Sequence, residues 1–150
     1  MGLLVLISAI APPAAGANAS QEPYQDGKYR AFYYLKGEHA VDSTDVNGNR
    51  VPDQVEDAIT QIKAAHILFV DVLGFPDPFE THRYAGISYL NVSFRNKDTV
   101  KGNGKAFDEP GTRKGDPAGT RSINVSVATT VKPSSNVTPA HEYFHVIQNS

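Results

Sequence analysis

Apolar and polar residues alternate along some stretches of the chain and recur every three or four positions along others, which separates strands from helices before any motif is considered. Arg121 to Thr129 puts Ile123, Val125 and Val127 on one face and Ser122, Asn124 and Ser126 on the other, the pattern of a half-buried strand. Tyr84 to Phe94 alternates well enough for a second strand, and the aromatic run Lys28 to Leu35 predicts a third, ended by Lys36-Gly37. Val55, Ile59, Ile62, His66, Phe69, Val70 and Leu73 make one helical stripe. The stripe predicts a helix from Pro52, as its first residue, to Leu73, stopped by Gly74-Phe-Pro76. His66 lies inside it and reads as a core histidine, while His82 sits in a polar loop and is a poor ligand. A last helix starts near Thr138, with Thr138 as N-cap and Pro139 as first helical residue. Ser20 to Lys28, with its Asp26-Gly27 turn signal, reads as a linker. Arg95 to Thr120 is polar and Gly-rich, and loops of that length inside compact domains are usually functional or mobile.

Composition narrows the function classes. A chain of 150 residues supports one hydrophobic core, and a net charge of -2 with dispersed acids and bases provides no polyanion footprint, so no nucleic-acid partner is expected. With no cysteine, any transition metal must be held by His and carboxylates. Leu3 to Ala11 is an apolar run of signal-peptide length, followed by Pro12-Pro13 and the small-x-small triplets Ala15-Gly-Ala17 and Ala17-Asn-Ala19. Residues 1–19 therefore read as a secretory signal. The remainder, 20–150, reads as an extracellular or periplasmic domain with no membrane span after cleavage.

Two segments carry chemistry. His141-Glu-Tyr-Phe-His145 is the H-E-x-x-H arrangement: residues four apart lie one above the other on a helix, so two neutral imidazoles can meet one zinc ion. Glu142 is then placed as general base, to take a proton from a zinc-activated water. In the second segment, oxygen-bearing side chains fall at positions one, three, five, nine and twelve of a loop counted from Asp45. These are Asp45, Asn47, Asn49, Asp53 and Glu56, and the Val51 carbonyl stands at position seven, the ligand spacing of a twelve-residue calcium loop. Position six, which favours Gly, is Arg50. The same residues also suit a solvated Asx-rich turn that caps the following helix.

The order D-x-N-x-N-x-x-P-D, long helix, Leu73-Gly-Phe-Pro-Asp-Pro78, strands and then H-E-Y-F-H-V-I-Q resembles a family of secreted bacterial zinc metalloproteases of the zincin class, gluzincin-like, over about Lys28 to Gln148. The resemblance implies an α+β fold: a zincin-like N-terminal subdomain with a twisted mixed sheet, a backing helix and an active-site helix. It implies His141 and His145 as zinc ligands, Glu142 as general base and a polypeptide substrate paired to the strand Ser122 to Thr129 as sheet edge. A metzincin would have Gly at position 148 and a third His at 151, whereas this chain has Gln148 and ends at Ser150. The resemblance points to a third ligand, a carboxylate, on a later helix, so the sequence reads as the N-terminal part of a longer peptidase, by itself inactive. The alternative is a non-catalytic, calcium-stabilised extracellular module with a vestigial HExxH.

Overall fold

The computed structural model describes residues 19–150, so the apolar run Leu3 to Ala11 and nearly all of the expected signal lie outside the described residues. The chain folds as α+β around a five-stranded mixed sheet of order β1-β2-β3-β5-β4, with β1 Glu22–Asp26, β2 Tyr29–Tyr33, β3 Ile87–Arg95, β4 Gly104–Ala106 and β5 Arg121–Ala128. The three central strands are parallel, and both outer strands run antiparallel to their neighbours. Helices α1 Asp53–His66, α2 Lys97–Val100 and α3 Thr138–Gln148 complete the architecture.

The alternation legible in the sequence decides which face is buried. Ala31 and Tyr33, Leu90, Val92 and Phe94, and Ile123, Val125 and Val127 all enter one core, joined by Val55, Ile59 and Ile62 of α1 and by Tyr143, Val146 and Ile147 of α3. Each such aliphatic or aromatic side chain contributes about 1.5–3 kcal/mol when fully withdrawn from water. Both long helices therefore lie on one side of the sheet.

Several sequence expectations are corrected. Ser20 to Lys28 is not a linker: it holds β1, which pairs with β2 through Gly27-Lys28, and Gly27 takes the φ of +61° that a tight hairpin asks of its first central residue. Pro23 is tolerated because β1 is an outer strand. The helix expected over 52–73 starts one residue after Pro52 and stays α-helical only to His66. Ile67–Val72 continues as a π-helix, where the wider turn swings Ile67, Leu68 and Val72 outward while Phe69 and Val70 keep partial cover. The loop expected over 95–120 contains α2 and β4. Because β4 pairs with β5 along Gly104 to Ala106, the strand Ser122 to Thr129 is internal and β4 is the edge.

The rest of that excursion is tied across the opposite face of the sheet. Asp116 accepts two hydrogen bonds from Arg30, at 2.9 and 2.8 Å, and Arg30 also donates to Asn91 at 2.9 Å. Both charged side chains are largely covered, at 9% and 12% exposure, and the guanidinium holds the Asp116 carboxyl below the usual carboxylate range. A carboxylate with a lowered native pKa stabilises the fold above its unfolded pKa of about 3.9, and that contribution is lost as pH falls through the native value. Replacing Asp116 by Asn should cost about 1–3 kcal/mol at neutral pH by leaving Arg30 poorly partnered. Urea melts across the acid range should show the gap from wild type closing as Asp116 protonates, and a gap independent of pH would contradict the assignment.

Candidate metal centre

Helix α3 is set in place by α1 rather than by its own cap. The expected N-cap Thr138 is already helical, Val137 precedes it, and Pro139 follows within the first turn. Asn136 Oδ1 does the capping work, accepting from the Thr138 amide at 2.9 Å and from its hydroxyl at 2.6 Å. Gln61 of α1 then accepts from the Ala140 amide at 2.9 Å and donates to the carbonyls of Pro133 and Asn136 at 3.0 and 3.1 Å. One side chain thus satisfies a free helix-start donor and locks the preceding loop. Deeper in, the Tyr143 hydroxyl lies 2.6 Å from Nδ1 of His66, and its ring meets that of Tyr29 edge-on at 6.4 Å. Burial pushes the Tyr29 hydroxyl up to about 12 and raises that of Tyr143 as well, so both remain neutral donors. His66 is a structural partner of the site helix, in keeping with its reading as a core histidine.

On the outer side of α3, His141 and His145 bring their Nε2 atoms within 3.0 Å of each other, their rings perpendicular. Two nitrogens on one tetrahedral zinc with bonds of about 2.0–2.1 Å stand roughly 3.3 Å apart. Gln148 Oε1 lies 3.0 Å from His145 Nδ1. With the Gln148 carbonyl oxygen turned to it, Nδ1 would carry the proton and leave the Nε2 lone pair for a metal. The two nitrogens are thus spaced to share one metal ion. Among the described residues no third His, Cys, Asp or Glu joins the pair. His141 is exposed and His145 half-buried, and only Glu142 of the three is withdrawn from water, at 7% exposure.

Glu142 is pressed against the outer strand. A Cβ built on Gly104 would stand 2.5 Å from Glu142 Cγ and Oε1 and 2.7 Å from Thr138 Cγ2, so only glycine admits the carboxylate between α3 and β4. Nothing in the sequence marks Gly104 as part of this site, because it lies 38 residues before Glu142. Gln148 had a usable signal, being three residues beyond His145 on the same helical face.

The Asp45 to Glu56 loop lies elsewhere, before α1, and its turn is closed. Asp45 accepts from the amides of Gly48, Asn49 and Arg50 at 2.8, 3.2 and 2.8 Å. Asn47 and Asn49 donate to the two Glu56 oxygens at 2.9 and 2.7 Å, and Asp53 accepts from the Val46 amide. Arg50 takes φ +74°, the left-handed conformation that favours Gly at position six. The loop thus adopts the bend despite its side chain, at a cost of about 1–2 kcal/mol. The Val51 side chain is half-buried beside the core, and its amide donates to Asn49 Oδ1. Gln54 binds this segment to the sheet, accepting from Asp42 and donating to the carbonyls of Thr129 and Val131.

The chain matches no protein-family model, no curated protein and no solved structure.

Replacing Gly104 by Ala should force Glu142 and Thr138 aside at a cost of about 1–3 kcal/mol in chemical denaturation. A variant as stable as wild type, with the chemical shifts of Glu142 unchanged, would mean that the approach is not close.

Proposed function

We propose that this is the zinc-binding part of a secreted peptidase, with His141 and His145 as metal ligands and Glu142 as general base. The observation that carries the reading is the convergence of two imidazole nitrogens at 3.0 Å, next in sequence to a carboxylate withdrawn from solvent. Zinc, when bound, would supply a Lewis acid that polarises the scissile carbonyl and acidifies water. Glu142 would accept the proton of the attacking water and pass it to the leaving amine. Its position against Gly104 puts the proton acceptor beside β4, whose outer edge carries backbone groups free to pair with an extended polypeptide. Substrate pairing is accordingly assigned to β4. Gln148 would hold His145 in its ligating tautomer. Among the described residues no helix is long and apolar enough to cross a membrane.

The second reading is a non-catalytic extracellular module stabilised by calcium, supported by the left-handed bend that Arg50 gives the loop before α1. Calcium would be held by Asp45, Asn47, Asn49, Asp53, Glu56 and the Val51 carbonyl, after the Asn47 and Asn49 amides release Glu56.

Glu142→Gln keeps the shape of the side chain and removes its basicity. The variant should bind zinc as wild type does and hydrolyse casein about 10²–10⁴-fold more slowly. Undiminished hydrolysis would sink the mechanism, and zinc binding without hydrolysis in the wild type would favour the module. Calcium at a hundredfold excess over its Kd should stabilise the protein by about 2.7 kcal/mol, read as a higher melting temperature, and Glu56→Gln should abolish most of the rise. A melting temperature indifferent to calcium would leave the loop as a helix-capping turn.

A further inference from the structure

The sheet has a second face, and its chemistry is one-sided. Alternation puts Phe32, Asn91, Ser93, Arg95 and Asn124 opposite the core positions Ala31, Leu90, Val92, Phe94 and Ile123. The register extends that face to Pro23 and Gln25 on β1, Arg30 on β2, Tyr89 on β3, Ser122 and Ser126 on β5, and Lys105 on β4, so the strands present cations and neutral groups there and no carboxylate. The acids of β1, Glu22 and Asp26, fall on the helical side, where Asp26 meets Lys63.

The loop between β4 and β5 walls this face into a cavity of about 510 Å³. Arg95 comes up from β3, Arg113 and Lys114 come down from the loop, and no Asp or Glu lines the space. The nearest carboxylate of the loop, Asp116, is occupied by both terminal nitrogens of Arg30. Arg95, Arg113 and Lys114 form no ion pair with any described residue. Arg113 is nonetheless held in place: its guanidinium stacks on Phe32 at 3.8 Å and donates to Gln21 at 2.7 Å. Arg95 lies over the Tyr34 ring at 5.3 Å. Both arginines are half-buried as residues and held by these contacts, which reduces the rotamer freedom lost on binding.

Hydrogen-bond capacity points the same way. Asn91 gives both amide hydrogens to Ser122 and Asn124 and accepts from Arg30, and Asn124 Oδ1 is taken by Asn91. What remains for a ligand is weighted to donors: three cations, the Asn124 amide, whose one contact is a long 3.5 Å, the Gln21 amide, and the Ser93 and Thr112 hydroxyls, which can also accept. An excess of donors with three cations selects a ligand rich in acceptors and negative charge.

We infer that this cavity, on the sheet face opposite the histidine pair, binds a tetrahedral oxyanion group, a phosphate or sulfate ester, between Arg95, Arg113 and Lys114. The inference does not rest on the peptidase reading. The guanidinium forks suit the paired oxygens of such a group, and Lys114 adds a movable point charge at the rim.

Calorimetric titration of the metal-free chain with sodium phosphate and with sodium sulfate, at constant ionic strength and with chloride as control, tests it. Saturable one-to-one binding is expected. It should weaken about tenfold in Lys114→Gln and in Arg95→Gln, stay unchanged in His141→Ala, and shift the backbone amide resonances of Ser93 and Asn124. Lys114 is exposed, so its variant tests the site without disturbing the fold. Tighter phosphate than sulfate indicates a phosphate ester and the reverse a sulfate ester. No heat beyond the chloride control, equal affinity in both cavity variants, or loss of binding in His141→Ala instead would each overturn the proposal.

Discussion

One apolar sheet face covered by two helices is the constraint on which everything else in this fold depends. Ala31, Leu90, Val92, Ile123 and Val125 can leave water only if α1 and α3 both lie on their side, and the long connections of a parallel sheet allow it. Putting both helices there has two consequences. It sets α3 across the β4 edge, with its imidazoles outward and its carboxylate inward. It also leaves the other face to be covered by loop alone, which explains why that face is polar.

The geometry of the histidine pair is held mostly by residues that are neither histidine nor acid. Gln61 and Gln54 are side chains of one helix that satisfy backbone groups of distant loops, and each loop is thereby fixed relative to the sheet. Tyr143 faces the core from the middle of the motif and joins His66 and Tyr29, so rotation of α3 about its axis would strand buried hydroxyls. Gly104 sets the distance between helix and strand. The constellation is buried at Glu142 and open to solvent at His141.

The two faces of the sheet are also electrostatically distinct. Acids of β1 and the acidic loop ahead of α1 gather on or near the helical side, while the far face keeps Arg30, Arg95 and Lys105. A net charge of -2 conceals this division, because whole-chain charge averages over faces that the pleat separates.

Local patterns were enough to read the core of β5, the existence of α1 and α3, the i to i+4 stacking of His141 on His145 and the bend of the Asp45 loop, since each is decided within a few residues by periodicity or turn chemistry. The α+β class follows from those elements too. Strand order is different: that β4 shields β5, that Ser20 to Lys28 makes a strand, and that α1 relaxes into a π-helix after His66 are settled by which partners are near in space. The same holds for Gly104 against Glu142, Gln61 at the start of α3, and the cations of the far cavity. Sequence alone determined what most segments tend to form and which side chains have the types and spacing that could carry chemistry. Only the tertiary structure decided which atoms meet, because contacts between residues tens of positions apart arise from packing the sheet and leave no periodic trace in the chain.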